Sequence, residues 1–184
     1  CEVCRTPVNA GARGRKPKFC GTTCRVKSHR GHHIPVELRQ LPRWIRHRSK
    51  VPITAQGNSA SSTNPLTWTD YQTASTATVG DGLGFVLNGD GIVCIDLDHC
   101  YDGKPNAEAQ ALIDSLPETY TEVSPSGSGL HIWAYAALEK GRRFNRNGLS
   151  VEIYPNGRYL TVTGQAINRA PFAHIELDDI LAQR

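Results

Sequence analysis

The sequence predicts an α+β fold: an antiparallel sheet flanked by helices, with a small cysteine-knuckle module ahead of it. Three observations lead there. Short runs at 83–88, 91–98, 120–124, 130–135, 149–154 and 158–163 have strand length and apolar content, and Gly, Asp, Asn and Pro turns separate them. Helical periodicity is confined to a few short segments between the strands and at the end of the chain, the pattern of α+β rather than of alternating βαβ units. Four of the six cysteines stand within the first 24 residues, in a stretch with little apolar content.

The N-terminal segment reads as a zinc module over residues 1–30. Cys1-x-x-Cys4, fifteen residues, then Cys20-x-x-x-Cys24 has the ligand spacing of a structural Zn²⁺ site. So short a segment cannot bury a core of its own, so a metal would supply its folding energy. His29, His32 and His33 are rival ligands, but they fall in a basic stretch outside the knuckle spacing. A disulfide pair is the other alternative, and nothing resembling a signal peptide favours it. The net charge of +4 hides a division: residues 1–50 hold thirteen Lys+Arg against two acids, and residues 51–184 hold eight against fifteen. Arg13, Arg15, Lys16, Lys18, Arg25, Lys27 and Arg30 form a basic patch suited to a phosphodiester backbone, although a charge run alone often marks only a solvated face.

Residues 31–50 form a basic connector, broken by Pro35 and Pro42, in which Arg43 to His47 begins the first strand. Residues 51–184 form the catalytic domain. A polar loop at 56–63 precedes a helix expected over 68–77, with Thr67 as N-cap, Asp70 as capping-box acid and Leu66 stapled onto Tyr71. A second helix follows Asn106. Its Ala109, Leu112, Ile113 and Leu116 repeat at i, i+3, i+4, i+7 to pack on the sheet before Pro117 stops it. A short helix is expected over 176–182.

The chemistry gathers on three segments. In Ile92–Asp98 the alternation of a strand points Asp96 and Asp98 the same way, while Val93, Ile95 and Leu97 bury the other face. Adjacent acids repel each other unless a cation lies between them, which suggests a divalent metal on oxygen ligands. Alone the pair is weak evidence, since strands often run out into Asp-rich turns. The turn Ser124-Pro-Ser-Gly-Ser-Gly-Leu-His131 offers backbone N–H groups, the hydroxyls of Ser126 and Ser128, and His131 to an anion. In Leu149 to Tyr154, Glu152 opposes an apolar face. A hairpin across the Pro155-Asn-Gly157 turn would bring Arg158 beside it. Cys94 and Cys100 read as buried thiols.

The order Gly84-Phe-Val-Leu, Cys94-Ile-Asp-Leu-Asp98, Ser126-Gly-Ser-Gly-Leu-His131, Val151-Glu-Ile-Tyr and Gly157-Arg-Tyr-Leu-Thr-Val-Thr-Gly164 resembles the catalytic core of the primase-polymerases, in the version found in phages and plasmids. Three separated motifs in one order are far more specific than any one of them. The resemblance covers roughly residues 40–170. It implies an RRM-like core, with Asp96, Asp98 and Glu152 as catalytic acids binding Mg²⁺ or Mn²⁺. It further implies that His131, with Ser126 and Ser128, contacts the phosphates of an incoming nucleotide and that Arg158 holds the triphosphate. This chain departs from the family pattern at Gly129, where a serine often stands two residues before the histidine.

The expected activity is template-dependent nucleotidyl transfer from nucleoside triphosphates onto a 3′-hydroxyl during DNA replication, with single-stranded DNA as template. Two metal ions about 3.5–4 Å apart would activate the hydroxyl and neutralise the leaving pyrophosphate. A replicative helicase is a further expected partner. Family members often carry a helical segment after the core that helps to make the first dinucleotide, so this chain is expected to extend primers better than it starts them. A metal-dependent nuclease would use the same carboxylates without needing the phosphate turn, and a glycosyltransferase would leave the basic knuckle unexplained. A non-catalytic zinc-finger DNA-binding protein would account only for residues 1–50. No apolar segment approaches the roughly 20 residues of a membrane helix, and the thiolate site points to a reducing cytoplasm, bacterial or phage-infected. The chain has no methionine and opens on cysteine, which suggests a removed initiator or a trimmed segment.

Overall fold

In a computed structural model of the chain, residues 7–8, 20–21 and 33–181 are described. Backbone contacts divide the chain into a unit of Cys1–His33 and a unit of Ile34–Arg184. The second unit is built from two antiparallel sheets, as an α+β chain of short strands requires. Its elements run α1 (Val36–Arg39), β1 (Trp44–Arg48), β2 (Val51–Ile53), α2 (Tyr71–Thr76), β3 (Gly82–Asn88), β4 (Ile92–Asp98), α3 (Ala107–Asp114), β5 (Thr121–Val123), β6 (Leu130–Tyr135), β7 (Arg142–Arg146), β8 (Leu149–Tyr154), β9 (Asn156–Val162), β10 (Ala166–Asn168) and α4 (Asp178–Leu181). The smaller sheet has the order β2-β1-β3-β9 and the larger β10-β5-β6-β4-β8-β7. Among the described residues no helix is long and apolar enough to cross a membrane.

Strand parity divides the larger sheet into two faces. Val93, Ile95 and Leu97 of β4, Leu130, Ile132 and Ala134 of β6, and Leu149, Val151 and Ile153 of β8 point one way. They pack with Ala109 and Leu112 of α3 and with Ile175, Leu177 and Ile180 near the C-terminus. This is the buried face expected of the Asp96 strand, covered by the helix expected to cover it. On the opposite face Ile92, Cys94 and Trp133 meet Trp44, Phe85, Leu87, Leu160 and Val162 of the smaller sheet. Phe85 is edge-on to both Trp44 and Trp133, with ring centroids 5.2 and 6.0 Å away. Arg43 ties the start of β1 to the β3–β4 turn by two hydrogen bonds to Asp90, at 3.1 and 2.7 Å.

Three sequence expectations give way here. The helix expected over 68–77 covers only Tyr71–Thr76, because Asp70, not Thr67, is its N-cap: Asp70 is extended and accepts from the Thr73 amide at 2.8 Å. Residues Pro65–Thr67 instead form a separate 3₁₀ turn capped by Asn64. Leu66 on that turn is 94% exposed, so it makes no staple onto Tyr71. The hairpin between 149–154 and 158–163 does not form. β8 pairs with β4 and β7, and β9 pairs with β3 in the other sheet, so the chain changes sheets at Pro155. Proline has no N–H for a ladder, and a bend at a strand end is how chains move between packed sheets.

Candidate active site

The larger sheet carries one unbroken polar row across five strands. Glu122 of β5 lies opposite His131 of β6, His131 opposite Asp96 of β4, Asp96 opposite Glu152 of β8, and Glu152 opposite Arg143 of β7. Directly paired residues share a face, so all five side chains stand on the side of the smaller sheet. The residues one pleat back in the same strands, Cys94, Trp133 and Tyr154, belong to or pack against the aromatic core. Asp98 follows Asp96 on the same face at the exposed end of β4.

Burial sets the charge behaviour of this row. Desolvation raises the Asp96 pKa, and the charges of Asp98 and Glu152 add to the effect, while His131 and Lys50 oppose it. Burial would pull His131 down, but the Glu122 hydrogen bond and the charges of Asp96 and Glu122 outweigh it and hold the ring above the ordinary histidine range. His131 is buried, with Nε2 3.6 Å from Asp96 Oδ1 and Nδ1 3.4 Å from Glu122 Oε1. Glu152 accepts from Arg143 Nε at 2.9 Å and from the Tyr154 hydroxyl at 2.5 Å.

Arg158 reaches this neighbourhood by a route other than the expected hairpin. From β9 its guanidinium stacks over the Tyr154 ring, 4.2 Å from the centroid, and Tyr154 in turn bonds Glu152. The serine turn is preformed: Ser124, Ser126 and Ser128 hydroxyls chain together at 2.9 and 3.1 Å, and the Ser128 carbonyl accepts from the amides of Cys100 and Tyr101. Gly129 has a steric reason to stand where the family often has serine. A Cβ there would come 2.5 Å from the Leu97 carbonyl oxygen and 2.9 Å from Ser124 Oγ. Cys94 and Cys100 are buried thiols, as expected, and burial raises the pKa of both.

Among the described residues no three His, Cys, Asp or Glu side chains are arranged to hold a metal ion. The donor chemistry nevertheless fits a hard cation: Asp96, Asp98 and Glu152 offer oxygen only, on adjacent strands and one face. Glu152 stands committed to Arg143 and Tyr154. Of the four cysteines expected to hold zinc, Cys20 is exposed, whereas Cys1, Cys4 and Cys24 lie outside the described residues, as do Arg13, Arg15, Lys16, Lys18, Arg25, Lys27 and Arg30.

Glu122, Arg143 and Lys50 lie outside every motif the sequence offers. Glu122 sits mid-strand between Thr121 and Val123, and only its register with His131 places it in the row. Arg143 lies on β7, a strand whose sequence Arg-Arg-Phe-Asn-Arg has too little apolar content to show itself. Lys50 is in the two-residue turn of the β1–β2 hairpin, where Ser49 and Lys50 both take positive φ without glycine.

The chain matches the family model described as bifunctional DNA primase/polymerase, N-terminal, over residues 24–178. It is also 38% identical over 136 residues to a protein of Nitratiruptor phage NrS-1 named DNA primase-polymerase, an alignment covering 68% of this chain but only 19% of that relative's length. With the acid pair, Glu152 and His131 on one sheet face, with the serine turn leading into the His131 strand, and with most of its length matched, the chain belongs to the bifunctional DNA primase/polymerase family.

Proposed function

We propose that the chain carries the nucleotidyl-transfer centre of a DNA primase-polymerase, adding nucleotides from nucleoside triphosphates to a 3′-hydroxyl on a DNA template during replication. One observation carries this reading: Asp96 stands in register between Glu152 and His131, so the acid pair, the third carboxylate and the histidine that follows the serine turn share one face. An RRM-like core is supported by the succession β4-α3-β5-β6 and then β8, all neighbours antiparallel in the order β5-β6-β4-β8, with β7 in place of a second helix.

Asp96, Asp98 and Glu152 would hold Mg²⁺ or Mn²⁺, which when bound lowers the pKa of the attacking hydroxyl and neutralises the leaving pyrophosphate. The residues around them do the positioning. Ser126 and Ser128 would present hydroxyls to phosphate oxygens, Arg158 adds a guanidinium held flat on Tyr154, and Lys50 brings positive charge to Asp96. Arg143 offsets the charge of Glu152, which would turn from it to hold a cation. The nuclease alternative shares the acids but has no use for this phosphate-binding set.

The division of the chain into a 1–30 zinc module, a basic connector and a catalytic domain stays part of the proposal, supported by cysteine spacing and by the charge asymmetry. The module would grip single-stranded template, with a helicase as a further partner. The deciding experiment is extension of a primed DNA template with labelled nucleotide, with Mg²⁺, with Mn²⁺ and with chelator. Incorporation in chelator, or none with either metal, would refute the reading. For the module, single-stranded DNA affinity should fall with salt by a log–log slope of about −0.7 per phosphate contact, and deleting residues 1–30 should flatten it. Equal slopes, or protein purified under reducing conditions without zinc, would remove that part.

A further inference from the structure

We propose that Glu122 is a positioning residue for this site: it holds the His131 ring with Nδ1 turned back into the fold and Nε2 turned to Asp96. The assignment rests on the primase-polymerase reading of the row. It names a residue on which none of the sequence motifs falls.

Glu122 is 0% exposed, and a carboxylate so placed persists only when its oxygens are filled by donors. The two oxygens are filled differently. Oε2 accepts from the Gly164 amide at 2.7 Å, the Tyr120 hydroxyl at 3.0 Å and the Thr163 amide at 3.2 Å. Oε1 has a more distant approach from the Thr163 amide, at 3.3 Å, and faces His131 Nδ1 at 3.4 Å. Thr163 and Gly164 directly follow β9, so one buried carboxylate joins the end of the smaller sheet to the polar row of the larger. Backbone amides cannot turn away or become acceptors. Oε2 is therefore fixed, and Oε1 is the oxygen left to face the histidine, whose ring also has the Thr161 backbone beside it.

That asymmetry makes Glu122→Gln informative. The amide side chain has one acceptor, and Gly164 with Tyr120 demands it at the Oε2 position. Its NH₂ must then occupy the Oε1 position and donate toward His131 Nδ1, which has to give up its proton. The clamp between the sheets survives, but the hydrogen bond to His131 reverses direction. A merely structural glutamate and a positioning glutamate thus part company in one conservative variant.

The test uses the full chain labelled with ¹⁵N-histidine. In the wild type Nδ1 of His131 should carry a proton, and in Glu122→Gln Nδ1 should lose it, leaving Nε2 as the protonated nitrogen, at a nearly unchanged thermal midpoint. Primed extension by Glu122→Gln should lose about 10–100-fold in kcat/KM, the usual effect of removing an outer partner of a site histidine. In a His131→Ala background the same change should alter kcat/KM by less than about two-fold, because its route to the site is gone. An equal loss in both backgrounds, or an Nδ1 without a proton in the wild type, would overturn the assignment. If Glu122→Gln does not fold, the wild-type spectrum decides alone. If the wild type incorporates no nucleotide, the primase-polymerase reading fails, while the spectra still judge the positioning.

Discussion

Two rows of side chains, one pleat apart on the same face of the same strands, have opposite characters. The row through Cys94 and Trp133 is aromatic, dry and closed over by Phe85 of the smaller sheet. The row through Asp96, His131, Glu122 and Glu152 sets four titratable groups in register across four neighbouring strands, about 7 Å along the strands from the first row, the rise of two residues. The backbone is the same in both, and what differs is whether the smaller sheet offers an apolar side chain, as Phe85 does, or backbone amides, as Thr163 and Gly164 do at the end of β9. The contrast teaches that the apolar row provides the rigidity and low dielectric that shift the pKa values of the polar one.

The strongest way to break the comparison is to remove charge from the polar row. Asp96→Ala or Asp98→Ala should cut nucleotide incorporation by about 10²–10³-fold or more with folding intact, because each removes a group that supports developing charge. Near-normal extension by Asp98→Ala with Mg²⁺ or Mn²⁺ would sink the site. The converse change, Trp133→Ala, should cost about 3–5 kcal/mol in a urea titration. Trp133→Phe should cost much less, since Nε1 has no hydrogen-bond partner among the described residues and the ring contributes by packing.

Smaller effects sharpen the picture. His131→Ala and Arg158→Ala should each weaken triphosphate binding about ten-fold, or about 1.4 kcal/mol, with template affinity unchanged. Unchanged calorimetric affinity in both would take them out of the phosphate site. The smallest expected change is a gain. Asp96 has its folded-state pKa raised by burial, so its ionised form costs stability above that pKa and the cost is absent below the ordinary Asp range. In chelator at pH 7, Asp96→Asn should raise the thermal midpoint by roughly 2–4 °C, the shift produced by about 1 kcal/mol in a chain of this size. The gain should disappear as the pH falls toward 4, and a gain independent of pH would deny the shift.

Legibility in the sequence followed the range of the interaction. The β4 alternation, the α3 apolar stripe and the Asn106 start were readable because each depends on residues within one or two turns or pleats. Thr67 was misread as a cap because Asp70, three residues on, competes for the same role and wins by bonding both the amide and the hydroxyl of Thr73. The expected Glu152–Arg158 hairpin failed because a turn motif reports that the chain bends, not which sheet it enters afterwards. Arg158 still arrives near Glu152, through Tyr154.

The sequence by itself determined the α+β class, the family, the common face of Asp96 and Asp98, and the serine turn before His131, since local periodicity and motif order are written in one dimension. Only the tertiary structure decided the sheet switch at Pro155 and the register that sets Asp96 between Glu152 and His131. It alone revealed Glu122, whose partners Thr163 and Gly164 lie more than forty residues away. Register and sheet membership come from which long-range pairings bury the most apolar surface together, and no local pattern carries that information.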